Sequence, residues 1–139
     1  MPLPRNAKIE LLKKVPLFAG CSKAELRELA LVADELDLKE GRTLVREGRP
    51  GREFFILLEG SVRVSRNGRK VSELGPGDWF GEIALLTDVP RTATVTATSP
   101  IRVLVVTGRS FQRVVEKMPT IALKVLETLA QRVTKDGKS

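Results

Sequence analysis

The sequence predicts a mainly β domain, a barrel or jelly roll, preceded and followed by helices. Three observations favour this fold class. Glycines interrupt the middle of the 139-residue chain at short intervals. Brief apolar or alternating runs lie between those glycines, as they do in short strands. The first and last thirds instead repeat apolar residues every three to four positions, which is typical of amphipathic helices.

The first third of the chain predicts helices. An apolar face begins at Ile9 and is interrupted at Val15-Pro16, because the residue before a proline disfavours helical backbone. Ser22 and Glu25 then have the spacing of a capping box, in which each side chain satisfies the other's backbone N–H. A second apolar face follows. We therefore expect an N-terminal helical segment over residues 1–34.

From about residue 36 the pattern predicts strands. The runs TLV, EFFILLE, SVRVSR and KVSEL are separated by turns that contain glycine. Asn67-Gly68 between two of them is a strong hairpin signal, since both residues tolerate positive φ. Further strands are expected at Thr92–Ala97 and Ile101–Val106. This part of the chain is the predicted β-barrel.

The last third predicts two helices, Arg109–Lys117 and Thr120 through Lys135, interrupted at Met118-Pro119. The apolar face of the second comprises Ile121, Val125, Leu126, Leu129 and Val133. This region carries most of the net charge of +7. Its basic residues either form a solvated face or meet an anionic partner. The few aromatic residues are not interleaved with them, which argues against a stacking platform for single-stranded nucleic acid.

Composition excludes several classes of function. The chain has no histidine and one cysteine, Cys21, so no metal site and no intrachain disulfide are expected. One cysteine suits a reducing compartment, and no apolar run approaches the ~20 residues of a membrane span, so we expect a cytoplasmic protein. Without histidine, tyrosine or a suitably spaced pair of carboxylates, acid–base catalysis lacks its usual groups, and we expect no enzyme.

The run FGEIALLTDVPRTATV, residues 80–95, places one acid and one arginine among apolar residues. Gly81 and Glu82 begin a predicted helix of one to two turns, whose N-terminus favours anions. Arg91 has a planar guanidinium that suits phosphate, and Thr92 adds a hydroxyl. Glu82 suits a sugar hydroxyl instead. Spacing alone leaves open the alternative that Glu82 and Arg91 form a structural ion pair with each other.

The pattern F-G-E-I-A-L-L-x(4)-R-T-A-T-V resembles the phosphate-binding cassette of cyclic nucleotide-binding domains, the family of catabolite activator protein, kinase regulatory subunits and cyclic nucleotide-gated channels. The stretch EGRTLVREGRPGREFFILLEGSVRV resembles the first half of the family's barrel. The resemblance implies one domain over 1–139, with an eight-stranded jelly roll over 35–107, the cassette over 80–95 and two C-terminal helices over 108–135.

The resemblance also implies roles for the cassette residues. Arg91 would pair with the exocyclic phosphate of a 3′,5′-cyclic nucleotide. Glu82 would accept a hydrogen bond from the ribose 2′-OH, assisted by the backbone at Gly81. The remaining members of the phosphate cradle would be the amides near Ala84 and Ala93, with the side chain of Thr92.

Outside the cassette, the resemblance implies that Val64 and Leu74 pack against the base, although both are equally compatible with ordinary core. In several members the last helix closes over the base as a lid. Arg132 falls where some channel domains use an arginine of that helix, and its alternative is one more residue of a basic face. The lid aromatic of some kinase subunits has no counterpart here.

The resulting hypothesis is a ligand-sensing regulatory domain that binds cAMP in preference to cGMP and needs no cofactor or metal. One alternative is the sensor half of a DNA-binding regulator without its helix-turn-helix, since LETLAQRV resembles the dimer helix of such regulators. Another is a barrel that binds no nucleotide. Expected partners are the cyclic nucleotide, a second copy through the last helix, and an effector outside this chain. We expect no nucleic-acid reading element.

Overall fold

The computed structural model describes residues 2–135, and the side chains of its last helix as far as Gln131. It separates into two units. Asp34–Arg109 forms a barrel unit, and the segments before and after it form a helical unit. The interpretation of the whole chain as one domain stays a prediction. No helix among the described residues is long and apolar enough to cross a membrane.

The barrel unit contains eight strands in two four-stranded antiparallel sheets. One sheet has the order β1-β8-β3-β6 and the other β2-β7-β4-β5. This confirms the predicted jelly roll. The strands are β1 Asp34–Leu38, β2 Thr43–Val45, β3 Glu53–Glu59, β4 Val62–Arg66, β5 Arg69–Leu74, β6 Trp79–Phe80, β7 Thr94–Ala97 and β8 Ile101–Thr107.

A cluster of buried aliphatic and aromatic side chains from both sheets forms the core of the barrel. Strands β3 and β8 contribute most of it, because each carries an almost continuous apolar run that contacts the other in register. The cluster comprises Val45, Phe55, Leu57, Val62, Val95, Ala97, Ile101, Val103 and Val105. Burial of these side chains is the main favourable term for this unit.

The predicted hairpin joins β4 and β5 at Asn67-Gly68. Both residues have positive φ, 53° and 78°, as a type I′ turn requires. The strands pair from Arg66↔Arg69 outward, with an irregularity between Val64 and Ser65. The hairpin prediction is therefore confirmed, and the irregularity was not foreseen.

The helical unit contains α1 Arg5–Lys13, a 3-10 turn Pro16–Phe18, α2 Lys23–Leu31 and α4 Thr120–Lys135, while α3 Gly108–Lys117 begins at the end of the barrel unit. The break at Val15-Pro16 and the capping box of Ser22 and Glu25 are confirmed.

Glu25 has a second role that the sequence did not indicate. Its side chain is 2% exposed and accepts hydrogen bonds from the Thr120 hydroxyl at 2.5 Å and from the Lys124 ammonium. Burial alone would raise the pKa of Glu25, but these donors and Ser22 lower it to about 2. The carboxylate thus fastens the first turn of α4 to the start of α2.

The predicted apolar face of α4 is buried in one part and exposed in another. Ile121 and Val125 are buried, but Leu126 is 63% exposed and Leu123, on the same side, is 60% exposed. The apolar stripe of the helix is thus divided between a buried and an open side, and Lys124 of the same helix contacts Glu25. Val133 lies beyond the described side chains.

Candidate functional site

A cavity of about 390 Å³ opens in the barrel unit beside the cassette. This volume lies within the range of small-ligand sites. Its apolar lining is Val45, Val64, Trp79, Phe80, Ile83, Ala84, Val89, Pro90, Ala93 and Val95. Its polar and glycine lining is Arg66, Gly81, Glu82, Arg91 and Thr92. An apolar cavity with a few charged groups in its lining suits a ligand that is part ring and part anion.

The start of the cassette is fixed by β6. Phe80 pairs with Phe55 of β3, and their rings stack with centroids 5.0 Å apart. Gly81 then adopts a φ of 83°, which other residues rarely adopt, and the chain enters a 3-10 helix, Glu82–Leu85. The short helix predicted here is confirmed, in the tighter 3-10 form. It presents Glu82 to the cavity.

Arg91 is held from three directions. Its Nη2 donates to the carbonyl of Glu53 at 2.8 Å and lies 3.5 Å from the carboxylate of the same residue. A Cβ at Gly51 would lie 2.7 Å from Nε, and a Cβ at Gly81 would lie 2.6 Å from Nη1. Both glycines therefore leave room for the guanidinium. The arginine side chain has five N–H donors. In the described part of the chain, the hydrogen bond to Glu53 uses only the Nη2 group of Arg91.

The main chain around Arg91 is fixed by the β2–β3 turn. The Arg91 N–H donates to the carbonyl of Arg49 at 3.0 Å, and the Gly48 N–H donates to the carbonyl of Arg91 at 2.8 Å. The N–H groups of Thr92 and Ala93 form no backbone hydrogen bond among the described residues. Both residues line the cavity, which makes their N–H groups candidate donors to a ligand.

The main electrostatic feature of the site is the buried charge of Arg91. The Arg91 side chain is 8% exposed. Burial lowers its pKa, and the Glu53 carboxylate partly opposes that effect. Arginine stays charged at any physiological pH, so the site retains a poorly solvated cation. Such a group gains more from an incoming anion than an exposed cation does.

The alternative ion pair between Glu82 and Arg91 is wrong. Within the described residues, Glu82 forms no ion pair, and Arg91 pairs with Glu53 instead. The short 3-10 helix and the turn after it hold the two residues on the cavity wall as separate groups. One cation and one carboxylate are thus both available to a ligand.

The structure brings together most of the residues that the sequence indicated. Val64 and the six cassette residues Gly81, Glu82, Ala84, Arg91, Thr92 and Ala93 all line the cavity. The Ala84 N–H donates to the Gly81 carbonyl at 3.1 Å, so its role as a phosphate donor stays a prediction. Leu74 is not in the lining and packs on the barrel core. The Arg132 side chain lies outside the described residues, and its role also stays a prediction.

Sequence reasoning missed Arg66 and Trp79, which line the cavity, and the positioning contacts of Gly51 and Glu53. Arg66 is two residues after Val64 on β4, and side chains two apart share a face of a strand. That spacing was the available signal for Arg66. Its Nε donates to the carbonyl of Thr92 at 3.1 Å, so the guanidinium lies at the end of the cassette.

The chemistry available to this site is binding. A buried cation, a nearby carboxylate and free amides can hold an anion and a hydroxyl together. The described residues contain no group of three or more acidic or cysteine side chains that could hold a metal ion. Together, the jelly roll and this cradle define a class of ligand-binding β-barrel with an anion site beside a short helix.

Comparison with known proteins identifies the family. The sequence model of the cyclic nucleotide-binding domain family matches residues 35–118 of this chain. The chain therefore belongs to this family. It is 34% identical over 138 residues to the cAMP-dependent protein kinase regulatory subunit of Dictyostelium discoideum, covering 94% of this chain and 42% of that protein. The chain therefore spans less than half the length of this relative.

Solved structures give the same result. The N-terminal domain of a transcriptional regulator from Streptomyces coelicolor is similar with a TM-score of 0.82 and 30% identity, over 91% of this chain and 92% of that one. The regulatory domain of the Toxoplasma gondii kinase PKA, crystallised with cAMP, has a TM-score of 0.73 and 26% identity, over 94% and 50%. The resemblance to kinase subunits and to transcriptional regulators is confirmed.

Proposed function

We propose that this domain is a cAMP sensor that binds one 3′,5′-cyclic nucleotide per chain and performs no catalysis on it. The observation that carries the proposal is Arg91, a nearly buried cation beside a cavity, with Glu82 on the same cavity wall and not paired to it. Glu53 contacts Arg91 through Nη2, and the remaining N–H donors of this poorly solvated guanidinium suit an anionic ligand. The kinase subunits to which the chain is similar support cAMP as that anion.

Each end of the ligand has a matching group. The cyclic phosphate meets the guanidinium of Arg91 and the N–H groups of Thr92 and Ala93. The ribose 2′-OH donates to the carboxylate of Glu82. The base lies against apolar side chains of the cavity, among them Val64 and Trp79. A nucleotide thereby replaces water at both charged groups with fixed partners.

Arg66 supports cGMP as a second ligand. It lies in the cavity lining, and guanine presents two acceptors, O6 and N7, on one edge, whereas adenine presents a donor at N6. An arginine that reached that edge would prefer guanine. Measuring the affinities for both nucleotides distinguishes cAMP, which the relatives support, from cGMP, which Arg66 supports.

We propose that the domain passes its regulatory signal on through contact with a partner protein. Leu123 and Leu126 are exposed and three residues apart on α4, which suits a homodimer through the last helix. A dimer of this kind would favour the DNA-binding regulator, in line with the similarity to a transcriptional regulator. Light scattering of the wild type and of Leu126→Glu tests the homodimer. A dimer in the wild type that is lost in the variant supports the homodimer.

A cytoplasmic location is part of the proposal.

Calorimetric titration tests the function. Wild-type protein should bind cAMP at one per chain, and Arg91→Ala should weaken binding by at least about thirtyfold, because removing one member of a buried charged pair costs ~2–5 kcal/mol. Arg46→Ala is the matched control, since Arg46 is an exposed arginine that forms no ion pair among the described residues. Absence of heat with cAMP and with cGMP would refute the proposal.

A further inference from the structure

Arg52 lies between the two residues that position Arg91, but its side chain makes different contacts. Gly51 leaves room for the Arg91 guanidinium and the Glu53 carbonyl accepts from it. Arg52 instead forms an ion pair with Asp88, Nη1 to Oδ1 at 3.1 Å. Asp88 belongs to the segment of the cassette between the 3-10 helix and Arg91. Arg52 therefore contacts the cassette without lining its cavity.

The same arginine contacts the first residue of α3. The Gly108 N–H donates to the Arg52 carbonyl at 2.6 Å. A Cβ at Gly108 would lie 2.6 Å from Nε and 3.1 Å from Cζ of Arg52, so the guanidinium covers this glycine closely. Gly108 is the first residue of α3 and directly follows strand β8 of the barrel. One side chain thus joins the cassette to the start of the helix that leaves the barrel unit.

We propose that Arg52 is a positioning residue that couples the state of the cassette to the start of α3. The contacts of Arg52 connect the cassette to α3. Any shift of the segment around Asp88 acts on the Arg52 guanidinium, and that group lies directly on Gly108. Of the two neighbours of Arg52, Gly51 packs closely on the Arg91 guanidinium and the Glu53 carbonyl accepts a hydrogen bond from it, so a ligand on Arg91 also acts on the backbone of Arg52.

The strength of this coupling is limited by solvent. The side chains of Arg52 and Asp88 are 44% and 77% exposed, and ion pairs this open contribute little to stability. Loss of the pair should therefore leave the fold intact and change nucleotide affinity by no more than about fivefold. A weak contact of this kind can break and re-form as the cassette moves, which a buried pair would resist.

The experiment has an arm without ligand, so that it does not depend on the proposed function. Amide resonances of Gly108 and Arg109 are measured in wild type, Asp88→Asn, Arg52→Gln and the double variant. We expect Asp88→Asn to shift both resonances in the wild-type background and to leave them unchanged in the Arg52→Gln background. Arg46→Gln, on the same turn, is the charge-matched control and should shift neither. Equal shifts from Asp88→Asn in both backgrounds would overturn the proposal.

The second arm adds cAMP and rests on the proposed function. Hydrogen exchange at Gly108–Phe111 should slow on binding in wild type and in Arg46→Gln, and should change much less in Arg52→Gln at saturating nucleotide. A residue with only a structural role would not alter this ligand-dependent difference. Equal protection in all three proteins overturns the coupling while the proposed function stands. Absence of nucleotide binding to wild type refutes the proposed function, and the first arm alone then decides the coupling.

Discussion

Gly81→Ala is the substitution that tests most sharply how Arg91 is positioned. Gly81 has a φ of 83°, and a Cβ there would lie 2.6 Å from Nη1 of Arg91 and 2.8 Å from the carbonyl of Glu53. The positive φ should cost about 1 kcal/mol of folding stability for any residue with a side chain. The overlap adds a second effect, because the guanidinium must leave its place between Gly81 and Glu53.

A displaced guanidinium should weaken nucleotide binding at least about tenfold, since hydrogen bonds to charged groups are worth ~1.5–3 kcal/mol. The matched control is Gly77→Ala, because Gly77 has a φ of 91° and nothing lies within 4 Å of its Cβ position. Both variants should lose stability in thermal denaturation, Gly81→Ala more than Gly77→Ala because its Cβ also overlaps the Glu53 carbonyl, and only Gly81→Ala should lose affinity in calorimetry. Wild-type affinity in Gly81→Ala, or an equal loss in both variants, would refute the positioning of Arg91 described above.

Three further predictions concern the helical unit. Because the folded pKa of Glu25 is about 2, below the ordinary 4.5, its stabilisation is complete above pH 4.5 and is lost as the pH falls towards 2. The free energy of unfolding should drop by about 3 kcal/mol over that window in wild type and much less in Glu25→Gln. Lys124→Met should cost about 3 kcal/mol in urea denaturation at pH 7, because it leaves Glu25 buried beside fewer donors; an unchanged midpoint would contradict this. Burial, with the nearby Glu25 charge, raises the pKa of Cys21 to about 11 from 9.0. The folded protein should thus react with iodoacetamide at pH 8 about a hundredfold more slowly than the unfolded chain, and equal rates would be inconsistent with a raised pKa of this half-buried thiol.

Local sequence signals predicted much of the fold. The hairpin at Asn67-Gly68 and the capping box at Ser22 follow from the chemistry of two to four neighbouring residues, and the structure contains both. The sites where prediction was incomplete depend on three-dimensional register. Arg66 lines the cavity from β4, which pairs with β7 at the end of the cassette, and Leu74 packs on the core although the pattern alone is compatible with a cavity wall.

The partners of the charged residues were the least predictable feature. Nothing in the spacing of Glu82 and Arg91 indicates that Arg91 pairs with Glu53, which is 38 residues away. Likewise, the contact of Lys124 with Glu25 joins residues 99 apart, and the exposure of Leu126 on α4 does not follow from its helical spacing. Such pairs depend on how strands and helices meet in three dimensions, and neither the local patterns nor the family resemblance indicated them.

The central claim is that Arg91 and Glu82 bind two parts of one ligand, its phosphate and its ribose 2′-OH. The most direct test is calorimetric titration of cAMP and 2′-deoxy-cAMP into wild type and Glu82→Ala. Wild type should prefer cAMP by about tenfold or more, because a hydrogen bond to a carboxylate is worth ~1.5–3 kcal/mol, and Glu82→Ala should bind both nucleotides equally. The same preference in both proteins would show that Glu82 does not contact the 2′-OH, and no binding of cAMP to wild type would contradict the account as a whole.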